Sequence, residues 1–357
     1  MGEEQNGDGR YSVAFPKRWW YPASPSSALK HKPIGITLMD RPIALFRDAD
    51  GTAHALLDRC AHRNVPLSLG RVHDDGCLEC AYHGWRFDGA GECRAIPGLA
   101  EPVGNRGVDT WPTRERDGFV WVWGDPASAP DREPFALPVL DHPWGEAVFR
   151  YDLDCTVHAA AENALDVPHT AFLHRGIFRG GEPRELTAVR RELADGVEVQ
   201  YLGEPVGLGR LRGRDGSELV FDHWDRFFLP SIAQVEYRVK HWLQIVNTIL
   251  HLPLSPFRTR AWFVVRYRTP VPPAVAKPIV LGRGWQIARQ DVDMLARQTE
   301  NIRRFKGERY SSTDLDLMAN AIWRLMRQAE RAESGTAAVS DAEREQSVRE
   351  RRVTFTV

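Results

Sequence analysis

Hydrophobic and polar positions alternate in short runs over the first third of the chain. Ile34–Leu38, Ile43–Phe46 and Gly118–Trp123 are rich in apolar and β-branched residues, and turn clusters such as Arg47–Gly51 and Asp88–Gly91 separate such runs. This is the pattern of a small all-β domain. The segment Pro126–Pro138 carries four prolines and no periodicity, so it reads as a linker. Beyond it, strand-like runs recur at 147–157, 186–201, 218–239, 243–251 and 258–268, and helical spacing covers 159–166, 284–305 and 314–332. Antiparallel strands with segregated helices predict an α+β chain. The expected division is a flexible arm 1–15, a β domain 16–125, a linker 126–144, a second domain 145–333 with an antiparallel sheet and flanking helices, and a charged tail 334–357. Val353–Val357 in that tail has the composition to add an edge strand.

Composition narrows the partners. Lys+Arg number 47 against 48 Asp+Glu, a formal net charge of −1, which offers no electrostatic reason for nucleic acid or an anionic membrane as partner. No run approaches the ~20 apolar residues of a bilayer span, and Met1–Arg10 lacks an apolar leader core. A cytoplasmic protein is expected. Of five cysteines, Cys60, Cys77, Cys80 and Cys93 share a short segment with His62, His73 and His83, which points to a metal site rather than a disulfide scaffold.

The informative string is Cys60-Ala61-His62, then 17 residues, then Cys80-Ala81-Tyr82-His83. Two thiolates and two imidazoles can hold one Zn²⁺, and a zinc knuckle through Cys77 and Cys80 is a second arrangement. Here, however, each loop supplies one Cys and one His, so both sulfurs can reach one iron and both imidazoles the other. That is the ligation of a Rieske [2Fe–2S] cluster, with Cys60, His62, Cys80 and His83 as ligands. Cys77, Cys93 and Cys155 read as small core residues. The run Cys60–Ser68 with Cys80–Trp85 resembles the Rieske domain of the ring-hydroxylating, Rieske non-haem iron oxygenase family, over roughly residues 19–125.

A second string, Glu162–His174, resembles the Asn-x-x-Asp-x-x-His-x-x-x-x-His segment of the same family, which binds mononuclear iron; the matching residues are Asn163, Asp166, His169 and His174. On an ideal helix His169 and His174 lie about 140° apart, so they cannot ligate from one straight face; Pro168 offers the break such a site needs. Two imidazoles and a carboxylate leave open positions on Fe(II), so a third ligand must come from elsewhere. Residues 284–305 form an amphipathic pattern with the stripe Ala288, Val292, Leu295, Thr299, Ile302. Asp291 lies about 30° from its centre and Asp293 about 170° away. A carboxylate on the buried face is costly unless paired or bound to metal, so Asp291 is the expected ligand, against the alternative of a solvent-facing Asp near a helix N-terminus. It also resembles the family's acidic ligand, followed seven residues later by Gln298.

The resemblance implies further roles. Asp166 would hydrogen-bond a ligand histidine and a Rieske histidine, His83, of a neighbouring subunit; a local helix cap is the plainer reading. Asn163 is a candidate beside the iron, or a helix-surface residue. The resemblance implies an alpha-subunit-only terminal oxygenase, a homotrimer, O2 as co-substrate and electrons from NAD(P)H through a separate reductase or a ferredoxin. Leu281–Gly284 is too short and wrongly placed for a dinucleotide fingerprint. Hydroxylation or oxidative demethylation of an apolar or aromatic small molecule is the expected chemistry, as mono- or dioxygenation. Desaturation and a non-enzymatic Rieske electron carrier are the alternatives. Pocket walls are expected from Phe221, His223, Tyr237 and Trp242.

Overall fold

The computed structural model describes residues 11–141, 143–176, 185–206, 216–217, 219–334 and 350–356. It resolves into two compact units, one made mainly of Pro16–Leu137 and one of Pro138–His251 with Pro256–Val357 and the N-terminal residues up to Phe15.

The smaller unit holds strands β1 (Trp20–Pro25), β2 (Ile34–Leu38), β3 (Arg41–Arg47), β4 (Ala53–Leu57), β5 (Arg71–Val72), β6 (Leu78–Glu79), β7 (Arg86–Phe87), β8 (Cys93–Ala95), β9 (Thr110–Trp111), β10 (Thr113–Arg116) and β11 (Phe119–Trp123). They form three small sheets, ordered β1-β11-β10, β2-β3-β4-β9 and β5-β6-β7-β8. β11 is apolar at every position because it lies between β1 and β10 and is buried throughout. Beneath the β6–β7 hairpin, Phe46, Leu56, Leu67, Leu78 and Phe87 pack with Cys60, Cys80 and Cys93.

The larger unit is built on one antiparallel sheet. Its strands are β12 (Gly145–Leu153), β13 (Glu185–Leu193), β14 (Gly196–Leu202), β15 (Asp222–Phe228), β16 (Ile232–Val239), β17 (Leu243–Ser255), β18 (Arg258–Arg268) and β19 (Arg351–Thr356), ordered β12-β18-β17-β16-β15-β14-β13-β19. Helix α1 (Val157–Leu165) packs on β15 and β16, helix α2 (Pro273–Arg304) on β12, and helix α3 (Ala319–Glu333) on α1. Among the described residues no helix is long and apolar enough to cross a membrane.

The fold class is the expected α+β, with several local differences. The runs 186–201 and 218–239 are each broken into a hairpin, by turns at Ala194–Asp195 and Leu229–Ser231; position 218 lies outside the described residues. Helix α2 begins at Pro273 rather than 284, through Pro278, Gly282 and Gly284. Pro273 occupies the first turn, where its missing N–H costs nothing, and Ala276 and Ala288 pack against Phe149, Val265 and Tyr267. Gly284 is required there, since a Cβ would come within 2.8 Å of the Phe149 ring. Helix α3 starts at Ala319, five residues later than the pattern suggested, after a turn in which Asp316 accepts from Thr313. Tyr11–Phe15, expected in a flexible arm, is docked instead: Ser12 N donates to Glu308 at 2.8 Å, Phe15 N donates to Glu330 at 2.9 Å, and the Tyr11 ring meets Phe257 edge-on at 5.2 Å. Residues 1–10 lie outside the described residues. The expected linker is shared out, with residues up to Leu137 in the smaller unit and those from Pro138 in the larger. In the tail, Arg351–Thr356 pairs with β13 as an edge strand.

On β15, His223 is completely buried between two carboxylates, with Nδ1 2.6 Å from Glu204 and Nε2 3.0 Å from Asp225. The rings of Tyr201 and Tyr237 stack on its two sides at 4.7 and 4.1 Å. Burial works against charge on the ring, but Asp225 and Glu204 outweigh it and hold the imidazole up at about 9.

Two predictions arise from these elements. Thr156 caps α1, its Oγ1 accepting from Ala159 N at 3.1 Å; Thr156→Ala is expected to cost about 1 kcal/mol and Thr156→Ser nearly nothing in urea unfolding. The raised value of His223 makes its stabilisation complete below its ordinary 6.5 and lost as pH climbs through about 9. The urea midpoint of the wild type should therefore fall across that window, and His223→Gln should show a flatter profile.

Candidate metal centres

The first centre is local. Cys60 N–H donates to Val65 O at 2.9 Å and Cys60 O accepts from Asn64 N–H at 3.0 Å; Cys80 N–H donates to Trp85 O at 2.8 Å and Cys80 O accepts from Gly84 N–H at 3.0 Å. The two loops thus share one turn, and the equivalent residues Asn64 and Gly84 both have left-handed φ, 62° and 69°. Asn64 is held there by accepting from Arg59 Nε at 2.7 Å. These turns place both sulfurs in the core, at 2% and 3% exposure for Cys60 and Cys80, and leave His83 exposed and His62 half-buried at the surface.

The donor set fits a cluster with one iron inward and one outward. The His62 and His83 rings lie 4.5 Å apart, and His62 stacks on Trp85 at 4.8 Å with 7° between planes. Among the described residues Nδ1 of His62 is buried with no hydrogen-bond partner, as befits a nitrogen whose partner is a metal. Burial pushes the Cys60 thiol up to about 11, so a thiolate there needs a metal to hold it. The four loop donors do not gather within 4.8 Å of one another, as donors to a single zinc would. All five cysteines are free and buried.

The second centre is assembled from distant segments. Helix α1 stops at Leu165 because Asp166 is extended (φ −89°, ψ 100°), and Pro168–Ala171 then makes a tight 3-10 turn. That break turns His169 and His174 toward each other, their Nε2 atoms 3.2 Å apart. From α2, Asp291 Oδ1 comes within 3.5 Å of His169 Nε2 and 3.2 Å of His174 Nε2. Among the described residues these three bring metal-ligating atoms together within 4.8 Å. Ligands at right angles on one first-row metal lie about 3 Å apart, so the set fits a two-histidine, one-carboxylate face.

The surroundings are polar and specific. Asn163 Nδ2 donates to Asp291 Oδ1 at 3.1 Å, so it faces the centre rather than solvent. The backbone carbonyl of Asp166 accepts from His169 Nδ1, while the Asp166 carboxylate, 34% exposed, lies 3.5 Å from the same nitrogen. Asp166 also caps α1. Burial opposes charge on His169, but hydrogen bonds and charge from Asp166 and Asp291 outweigh it and lift the ring to about 9. Burial likewise opposes the Asp291 carboxylate, yet hydrogen bonds to His169 and His174 hold it below its ordinary value. On α2, Ala288, Leu295 and Thr299 are buried and Asp293 is exposed, which is why Asp291 alone points inward. Glu162, lining a cleft with Asp166, Tyr201 and Asp316, is pushed up to about 7 by burial and by Asp166 and Asp316.

Sequence reasoning overlooked Gln290, whose Oε1 lies 2.8 Å from His174 Nδ1, and the pair Glu204 and Asp225 around His223. Of the expected pocket walls, Phe221, His223 and Tyr237 are in ring contact, while Trp242 sits in the turn between β16 and β17.

Comparison with known proteins follows the same division. Residues 19–112 match the Rieske [2Fe-2S] domain and residues 153–332 the Vanillate O-demethylase oxygenase C-terminal domain. The oxygenase component of dicamba O-demethylase from Stenotrophomonas maltophilia is 38% identical over 169 residues, 46% of this chain and 49% of that protein. The match thus spans about half the length of that relative. The 4β-methylsterol monooxygenase of Methylococcus capsulatus is 32% identical over 269 residues, 71% of this chain and 69% of that protein. A crystal structure of dicamba monooxygenase bound to 3,6-dichlorosalicylic acid shares the fold, with a TM-score of 0.74 and 24% identity over 90% of this chain and 99% of that one. With one matched segment holding the paired Cys-His loops and the other carrying the converging His169, His174 and Asp291, the chain belongs to the Rieske non-haem iron oxygenase family.

Proposed function

We propose that this chain is a terminal oxygenase that hydroxylates, or oxidatively demethylates, an apolar or aromatic small molecule bearing a methyl or methoxyl group. The observation that carries this reading is the convergence of His169, His174 and Asp291 in a chain that also holds the Cys-His loops. An electron carrier would need only the loops. The substrate class draws on the relatives, an O-demethylase for dicamba and a monooxygenase for a 4β-methylsterol. It is also supported by the aromatic rings of Phe221 and Tyr237, 5.1 Å apart on the sheet that α1 covers.

When bound, the [2Fe–2S] cluster and mononuclear Fe(II) supply the electron transfer and O2 chemistry that side chains lack. The protein's part is orientation. The buried Cys60 and Cys80 and the surface residues His62 and His83 would hold the cluster. His169, His174 and Asp291 would hold the iron, and three protein ligands would leave positions for O2 and substrate. Asn163 fixes the Asp291 carboxylate by donating to Oδ1. Asp166 orients His169, and its exposed oxygen would accept from the exposed His83 of a neighbouring copy in a homotrimer. Monooxygenation consumes one O2, two electrons and two protons and releases water; a hydroxylated methoxyl carbon leaves as formaldehyde. A separate reductase or ferredoxin would deliver the electrons from NAD(P)H.

The purified protein should contain ~3 irons per chain, two in the cluster and one removable by a chelator. Chelation should abolish O2 uptake, and Fe(II) should restore it. His174→Ala should lose the removable iron and all turnover while the cluster's EPR signal stays intact; a protein with two irons and no chelator-sensitive metal would be an electron carrier instead. Asp166→Asn should keep ~3 irons yet slow turnover about 10–100-fold, and full activity in that variant would remove Asp166 from the electron route. Formaldehyde release across a panel of methoxyl and methyl aromatics tests the substrate class, and an exclusively unsaturated product would replace it with desaturation.

A further inference from the structure

The two imidazoles of the second centre are oriented by different devices. To bind a metal at the point they share with Asp291 Oδ1, which lies 3.5 Å from His169 Nε2 and 3.2 Å from His174 Nε2, each must present an unprotonated Nε2. A neutral imidazole carries one N–H, so the opposite nitrogen needs an acceptor. For His169 that acceptor is local, the backbone carbonyl of Asp166 three residues earlier. His174 is 2% exposed, and its Nδ1 lies 2.8 Å from Oε1 of Gln290, 116 residues away. An amide oxygen only accepts, so Nδ1 carries a proton, and in the neutral ring this leaves on Nε2 the lone pair that a metal would take.

We propose that Gln290 is a positioning residue of this centre: its side-chain carbonyl sets the tautomer and ring plane of His174. The inference rests on the reading of His169, His174 and Asp291 as metal ligands. Consecutive residues of α2 then divide the work, Asp291 supplying a donor and Gln290 aligning another. Successive helical residues point about 100° apart, which lets Asp291 meet the Nε2 edge of His174 while Gln290 meets the Nδ1 edge. The ring is gripped from both nitrogens by a single turn of helix. Without the acceptor, either a buried N–H goes unpaired or the proton moves to Nε2, and both outcomes oppose metal binding.

The test uses the full chain with its cluster intact, stripped of removable iron by a chelator and dialysed anaerobically against Co(II). Bound cobalt is counted by mass spectrometry, so cluster iron does not interfere. Gln290→Leu, which removes the acceptor, should weaken cobalt binding about 10–100-fold with the cluster's EPR signal unchanged. Gln290→Glu, which keeps an acceptor in place, should bind close to wild type. Should Gln290→Leu fail to fold, Gln290→Asn, one methylene short of the ring, carries the same expectation. Wild-type affinity in the Leu or Asn variant overturns the proposal, as do equal losses in the Leu and Glu variants. If the wild type takes up no more cobalt than His174→Ala, the metal site itself is wrong, a result distinct from a Gln290 variant that alone behaves normally.

Discussion

A carboxylate on the inward face of a helix has to be met by positive charge, and this demand organises the larger unit. Asp291 is 19% exposed and faces two imidazoles rather than water. Against the cost of its burial, hydrogen bonds and charge from Asp166 and Asp291 together lift the His169 ring to about 9. A divalent metal would meet the Asp291 carboxylate with two charges and would take His169, His174 and Asp291 as ligands. The elements around Asp291 serve this meeting. Gly284 lets α2 approach Phe149, the extended Asp166 ends α1 in time to turn His169 inward, and Asn163 ties α1 to the carboxylate itself.

The two centres are built by opposite means. In the smaller unit each loop is a short closed turn, Cys60 bonding Asn64 and Val65 and Cys80 bonding Gly84 and Trp85. The packed core beneath holds the sulfurs, and the imidazoles sit outside it. Such a site is set by local sequence and a small core. In the larger unit, α1, the 3-10 turn and α2 each bring one part of the second centre, and no part suffices alone. Its geometry therefore depends on the packing of α1 on β15 and β16 and of α2 on β12. Mutations well away from the ligands can disturb it, because a donor displaced by about 1 Å no longer meets its metal.

His223 shows a different use of buried charge. It makes the same kind of contact as His169, an imidazole between carboxylates, yet Glu204 and Asp225 occupy both of its nitrogens. With neither nitrogen available, this ring ties the sheet together rather than holding metal. The contrast shows why a histidine among carboxylates is not in itself a metal site: the direction of the lone pairs decides.

Much of this was legible in the residues. The α+β pattern and the position of Asp291 on the α2 stripe follow from periodicities of about 2 and 3.6 residues and from the cost of burying charge, and the Cys-His loops from the type and spacing of their ligands and from their family resemblance. Pro168 pointed to a break before His169, but the extended residue is Asp166, and Val167, which Pro168 should hold out of helical geometry, is helical (φ −66°, ψ −44°). What the chain order could not disclose was who stands beside whom. Gln290 reaches His174 across 116 positions, Glu204 and Asp225 close on His223 only once β15 is buried, and α2 runs through Pro278, Gly282 and Gly284 because packing on β12 outweighs their poor helix propensity. Local chemistry selects the ligand types and their spacing. Tertiary packing alone brings Nε2 of two histidines and one carboxylate oxygen to a common point, because that convergence is a property of distances in space and not of distances along the chain.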